Sequence, residues 1–391
     1  MHFSAPYQGL PMRTHITRAL CAAAAGVALV SLGSAGAARA ADARPVHPGT
    51  AYVVNQYSGT VTPIRTATNT AGKAINVKRY PYAIAVTPNG KTAYVTNTLL
   101  DTVTPIQVAT GAVGKAINVG EDPQVIAITP NGKTAYVVNV GSGTVTPIDT
   151  ATNKAGKAIN VGNFPWAIAI TPNGKTAYVV NNGSGTVTPI NTATNRAGKA
   201  INVGGAPADI AITPNGKTAY VLTSDGAVRP IRTATNKVGK AIKTPYSTAF
   251  APSSSPGQVL MAVTPNGKTV YVASQSAGTV SPICTATNRA GKAIKAGKDP
   301  LGIAITPDGK TAYVASQDSD TVTPIRTATN TAGKAIVVGN MPYAIAVTPN
   351  GKTVYVVNNG SGTVTPIGTA TNTAGKAISV GAAPVSIAIT A

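Results

Sequence analysis

The chain has 391 residues and a formal net charge of +21, from 32 Lys and Arg against 11 Asp and Glu; 43% of it is hydrophobic and 11% charged. That apolar fraction excludes an intrinsically disordered chain, and two cysteines exclude a disulfide framework. Three histidines leave little for a His-based metal centre or a catalytic triad, and Glu121 is the only glutamate, unlike an ordinary enzyme or helical protein.

In chain order, the first feature is at the N-terminus. Arg13 and Arg18 precede an apolar run from Ala19 to Leu32, and Ala38-Arg39-Ala40 places small residues before Ala41. This is the pattern of a secretory signal peptide over residues 1–40, followed by an N-terminal tail over 41–50. A membrane anchor is the competing reading, but the run is short for a bilayer and small residues follow it. The mature chain is therefore expected to be secreted or held at the cell surface, without a transmembrane segment. Cys284 would be its only cysteine. Sister repeats carry Arg, Gln, Asp, Asn or Gly at that position, so it reads as an incidental variant and not a nucleophile.

From residue 51 the chain copies itself. Tyr-Val pairs begin at Tyr52, Tyr94, Tyr136, Tyr178, Tyr220, Tyr271, Tyr313 and Tyr355, in steps of 42 with one step of 51. An insertion over 244–258 accounts for the long step. A period in the low forties signals a propeller or a solenoid. Each unit holds four short β-type runs. In the unit from Pro165 to Gly204 they are strand A (Ala167 to Ile170), B (Thr176 to Val180), C (Thr186 to Ile190) and D (Lys199 to Val203). Pro-Asn-Gly between A and B is a tight turn whose glycine supplies a positive φ.

A four-stranded meander repeated radially is a β-propeller. The repeats begin on a strand B and finish on a strand A, Ser386 to Ile389, so the C-terminal inner strand should pair with the N-terminal strands and close the ring. The predicted fold is all-β: one propeller domain over 51–391, with eight blades, seven being the alternative count. A closed ring leaves no edge that needs a partner, so a monomer is expected. One feature fits poorly. Proline occupies strand C in every unit, at Pro63, Pro105, Pro147, Pro189, Pro230, Pro282, Pro324 and Pro366. A missing N–H between two strands is disfavoured, so strand C is expected to end or bulge there.

The PNGKTAYVVN segments, AYVTN (Ala93 to Asn97) and the IAIT runs before them resemble the YVTN β-propeller repeat family, to which surface-layer and YncE-like exported proteins belong. The resemblance covers residues 51–391. It implies a propeller with binding or surface roles, and nucleic-acid binding for some YncE-like members. The family's usual ring has seven blades, so eight is a departure. Related propellers include lactone-cleaving enzymes, whose acidic and histidine metal ligands this chain does not display.

A meander assigns every loop to a face. The A–B and C–D turns share one end of the blade, and the B–C and D–A connections share the other. The first face gathers the lysines of Asn/Asp-Gly-Lys: Lys91, Lys133, Lys175, Lys217, Lys268, Lys310 and Lys352. The Gly-Lys-Ala-Ile lysines, Lys73 to Lys376, are expected on it too. The seven Asn/Asp-Gly-Lys lysines are the anion-binding candidates, with a solubilising role as the plainer reading. The second face gathers the aromatics outside strand B: Tyr57, Tyr80, Tyr82, Phe164, Trp166, Tyr246, Phe250 and Tyr343. It also carries Glu121, Asp122 and Asp299. Varied side chains on uniform repeats mark a recognition surface. The ligand-binding candidates are Tyr80, Tyr82, Glu121, Asp122, Phe164, Trp166, Asp299 and Tyr343. The aromatics have a plainer reading as caps packed over the blades.

No histidine lies in the repeats, so neither a Ser-His-Asp nor a Cys-His arrangement is available. No cofactor, metal or catalytic residue is expected. The expected function is a non-enzymatic, exported binding or surface module that takes a glycan, peptide or small molecule on the aromatic face. Its partner would be an extracellular ligand or a cell-envelope component. The first alternative is an anionic-polymer binder (teichoic acid, lipid or DNA) acting through the basic face. The second is a metal-dependent, lactonase-like hydrolase or lyase built on channel-mouth carboxylates.

Overall fold

The structure is a computed structural model that describes residues 49–244 and 260–390. The expected signal peptide, nearly all of the tail and of the insertion, and Tyr246 and Phe250 lie outside the described residues.

Eight antiparallel sheets form eight blades. Their B strands are Thr50–Asn55, Thr92–Asn97, Thr134–Asn139, Thr176–Asn181, Thr218–Thr223, Thr269–Ser274, Thr311–Ser316 and Thr353–Asn358, for blades 1 to 8 in that order. In blade 4, strand A is Pro165–Ile170 and strand C is Thr186–Asn191. The C-terminal strand Pro384–Ile389 pairs with Thr50–Asn55, in the register Tyr52 opposite Ala388 and Val53 opposite Ile387. It supplies strand A of blade 1 and closes the ring, as the ends of the repeat array require.

The two faces follow from hydrogen bonds between turns. Thr192 N–H donates to Lys175 O at 3.1 Å, which joins a C–D turn to the A–B turn of its own blade. At the opposite end, Asn163 N–H of a D–A connection donates to Ser184 Oγ of a B–C turn at 2.8 Å. The A–B turns are tightly specified. In blade 4, Asn173 Oδ1 accepts from Thr171 Oγ1 at 2.7 Å and from Lys175 N–H at 3.0 Å.

Strand B carries the core, since all of its residues after the first are buried in every blade. Its tyrosine bridges to the next blade. Tyr94, Tyr136, Tyr178, Tyr220, Tyr271, Tyr313 and Tyr355 donate their hydroxyls to Asn153, Asn195, Asn236, Asn288, Asn330, Asn372 and Asn69 respectively, at 2.5–2.8 Å. Each Asn sits in the following C–D turn with φ between 52 and 56°, a left-handed conformation that Asn tolerates well. Burial pushes six of these hydroxyls up to about 12, so they remain protonated donors. The bond from Tyr355 to Asn69 ties blade 8 to blade 1.

The prolines correct one expectation. Strand C runs through each of them, and strand D breaks instead. In blade 4, strand D is two short pieces, Arg196–Ala197 and Ile201–Asn202, both paired with strand C. Gly198 lies between them, opposite Pro189. Its N–H reaches the Pro189 carbonyl at 2.7 Å, and a Cβ there would stand 3.2 Å from the ring Cγ. The same Gly–Pro contact recurs in all eight blades, at 3.0–3.3 Å. The proline ring lies where strand D must approach, and only glycine passes it closely. The missing N–H of proline faces this gap, so no ladder bond goes unmade.

Replacing Tyr178 by Phe removes one inter-blade bond while keeping the ring buried. Urea unfolding should show a loss of about 1 kcal/mol, and unchanged stability would contradict the bridging role.

Candidate functional site

The D–A connections enter strand A through one repeated device. Tyr80, Asp122, Phe164, Asp299, Met341 and Ala383 each precede the first proline of a strand A, and each has φ between 48 and 53°. The left-handed turn aims the carbonyl at the neighbouring strand B. Thr98, Val140, Asn182, Gln317, Asn359 and Gln56 donate their N–H groups to these six carbonyls in turn, at 2.9–3.1 Å. Such backbone is uncommon for non-glycine residues and costs of order 1 kcal/mol each. The frame is constant while the side chains on it differ in chemistry.

Exposure differs between the two sides of that proline, though not in every blade. Phe164, before it, is 60% exposed. Tyr80 is half-buried and meets the exposed Tyr57 edge to face, with ring centroids 5.9 Å apart. The residue after the proline is bulged out of the pairing register with strand B. Tyr82 and Tyr343 occupy that position and are buried in the inter-blade cores, only 4% exposed. For these two the plainer reading holds: they are packing residues and offer no flat platform. Trp166, also after a proline, is half-buried. Met341, Leu99 and Leu100 are exposed on the same face. The sequence reading counted aromatics alone and missed them, although Leu99-Leu100 stands where sister turns carry Gly and Ser.

The carboxylates do not gather. Asp122 and Asp299 precede the inner strands of blades 3 and 7, on opposite sides of an eight-bladed ring. Glu121 is exposed beside Asp122, whose Oδ2 accepts from Gln124 at 2.7 Å. Burial, with the nearby Asp318 charge, pushes the Asp299 carboxyl up to about 6. Among the described residues, no group of three or more His, Cys, Asp or Glu is placed to hold a metal ion.

Blade 5 departs from its sisters. Arg229 replaces the strand C threonine and pairs with Asp225 at 2.7 Å. That guanidinium holds the Asp225 carboxyl well below the usual range. Asp209, on strand A of the same blade, is buried. Its Oδ1 accepts from Ile210 N–H at 2.7 Å, and its Oδ2 accepts from Met261 N–H of blade 6 at 2.8 Å. Burial outweighs these bonds and pushes its carboxyl up to about 7. Nothing in the local sequence pattern reveals that Asp209 caps a neighbouring strand.

On the opposite face, Lys91, Lys133, Lys175, Lys217, Lys268, Lys310 and Lys352 are all exposed, as a ring of turns requires. Lys268, Lys310 and Arg326 line a cavity of about 660 Å³ between blades 6 and 7. Asp308 shares it, with Oδ2 3.7 Å from Lys310 Nζ. The Gly-Lys-Ala-Ile lysines are placed differently from expectation. Lys199 follows Gly198 in the strand D break, so this set circles the outer rim at mid-blade.

Over residues 9–138 the chain is similar to the YncE-like beta-propeller family. No curated protein matches it. Among solved structures it is similar to hydrazine synthase of Kuenenia stuttgartiensis, at 24% identity over 74% of this chain and 96% of that one, with a TM-score of 0.58. It is also similar to the dihydro-heme d1 dehydrogenase NirN, at 13% identity over 89% and 76%, with a TM-score of 0.71. Apo AztD from Citrobacter koseri gives 13% identity over 87% and 97%, with a TM-score of 0.64. At these identities the likeness is one of fold.

Asp209 makes stability pH-dependent. Its folded value lies above the ordinary carboxylate value, so its contribution is fully present below about pH 4 and is lost as pH rises through about 7. The melting temperature should therefore fall over this interval, and Asp209→Asn should flatten the fall. A variant with the same pH slope as the parent would contradict this assignment.

Proposed function

We propose that this protein is an exported, non-enzymatic propeller that captures a glycan, peptide or small-molecule ligand on its D–A/B–C face. One observation carries the reading. Of seven large apolar side chains exposed among the described residues, five lie in B–C or D–A connections: Tyr57, Leu99, Leu100, Phe164 and Met341. Exposed apolar groups concentrated on one end of a closed ring favour a contact surface there. The varied left-handed residues before strand A give that surface its chemistry. Tyr80, Asp122, Phe164, Trp166, Glu121 and Asp299 remain its candidates, joined by Met341 and Tyr57. Export over a signal peptide at 1–40 belongs to the same proposal, with a mature chain starting at Ala41 by N-terminal sequencing. The protein acts as a monomer. No helix among the described residues is long and apolar enough to cross a membrane.

A second reading rests on the exposed lysine ring and the Lys268–Lys310–Arg326 cavity. These favour an anionic polymer on the A–B/C–D face, and the two faces can act together. The lactonase-like reading would need a metal-dependent activity, and turnover of a lactone panel by the purified chain with added divalent cations would establish it against our proposal.

The double variant Tyr57→Ala, Phe164→Ala removes two exposed rings without touching the cores. On glycan and peptide arrays its best ligand should bind at least about tenfold more weakly than with the parent. Equal binding with an unchanged melting temperature sinks the face assignment. For the basic face, affinity for an anionic polymer should fall steeply between about 50 and 200 mM salt; a salt-independent affinity rules that reading out.

A further inference from the structure

Seven of the eight blade junctions are sealed by a Tyr–Asn hydrogen bond, and one is not. Between blades 1 and 2 the residue equivalent to Asn is Gly111, so Tyr52 keeps only the turn-carbonyl bond, to Val108 O at 3.2 Å, that five sister tyrosines make at 3.3–3.5 Å beside their Asn bond. Sterics do not require this glycine. Its φ is 71°, in the region the seven sister asparagines occupy. A Cβ would first meet Ile75 Cδ1 at 3.4 Å, an ordinary contact.

Gly111 lines an opening here. A cavity of about 830 Å³ opens at this junction, with Tyr52, Arg65, Lys73, Ile75, Val108 and Val113 among its walls. That volume lies within the usual range for small-ligand sites. Tyr52 is 3% exposed, against at most 1% for the other seven strand B tyrosines. Arg65 and Lys73 are exposed, and neither takes part in the two ion pairs among the described residues. At the sister junctions the hydroxyl meets a planar, sp² amide oxygen at 2.5–2.8 Å. A carboxylate offers the same oxygen with a negative charge, which suits two nearby cations. Ile75, Val108 and Val113 provide walls for an apolar body.

We propose that the blade 1–2 junction binds a small organic carboxylate, one of whose oxygens takes the place that Asn Oδ1 holds at the other seven junctions. Tyr52 donates to it, Arg65 and Lys73 neutralise it, and the aliphatic side chains cover its body. The site lies on the outer side of the ring, away from the D–A/B–C face, and stands independently of the function proposed above.

Benzoate is a suitable probe, titrated into the full chain at low salt and followed by saturation-transfer NMR and calorimetry. The parent should bind it in the millimolar range. Gly111→Asn returns the carboxamide to the cavity, and should weaken binding at least about tenfold while raising the melting temperature. Arg65→Ala, at an exposed position outside the cores, should also weaken binding about tenfold, so the outcome does not depend on one variant. Failure of the parent to bind benzoate overturns the proposal. So does affinity equal to the parent's in either folded variant.

Discussion

The ring depends on one hydrogen bond, repeated. A buried tyrosine on strand B reaches out of its own blade to a left-handed asparagine in the next. A buried hydroxyl without a partner costs about 1–3 kcal/mol, so each blade lacks something until its neighbour is in place. The Asn supplies both parts of the fit: an acceptor oxygen, and a backbone that accepts positive φ at low cost. The last copy, Tyr355 to Asn69, joins blades 286 residues apart in sequence. It acts beside the backbone ladder between the terminal strands, so closure has two separate fastenings.

A second constraint works inside each blade. Proline on strand C removes a donor and projects a ring towards strand D. The outer strand yields, breaking at a glycine that slips past the ring. The lysine after that glycine is left on the rim, which is why the chain's high charge divides into two circles. One is set by the Asn-Gly-Lys turns on a face and the other by the strand D breaks around the edge. Much of the net charge thus follows from how a repeated unit is built.

The repeat period, the four β-type runs and the offset ends made the eight blades and their closure legible in the sequence, because these depend on local patterns copied many times. Register was not legible. Whether strand C or strand D gives way at Pro189 depends on which side its missing N–H faces. The candidate face was half legible for a similar reason. Phe164 and Tyr343 both flank the proline that opens a strand A, yet one points to solvent and the other into the core. For this pair the side of the proline decides, through a left-handed turn before it and a bulge after it. Asp209 was equally opaque, since its partner at Met261 is supplied by another blade.

Uniform clasps hold the ring, and the variable connections ride on it. The measurement that bears most directly on this account is amide hydrogen exchange of the eight strand B segments and the C–D turns they reach. The account predicts similar, strong protection at the seven junctions with a Tyr–Asn bond. It predicts the fastest exchange at the junction of Tyr52 with the turn containing Gly111. Protection at that junction equal to or above the rest would contradict it, because the ring would then be held by something other than the tyrosine–asparagine bond.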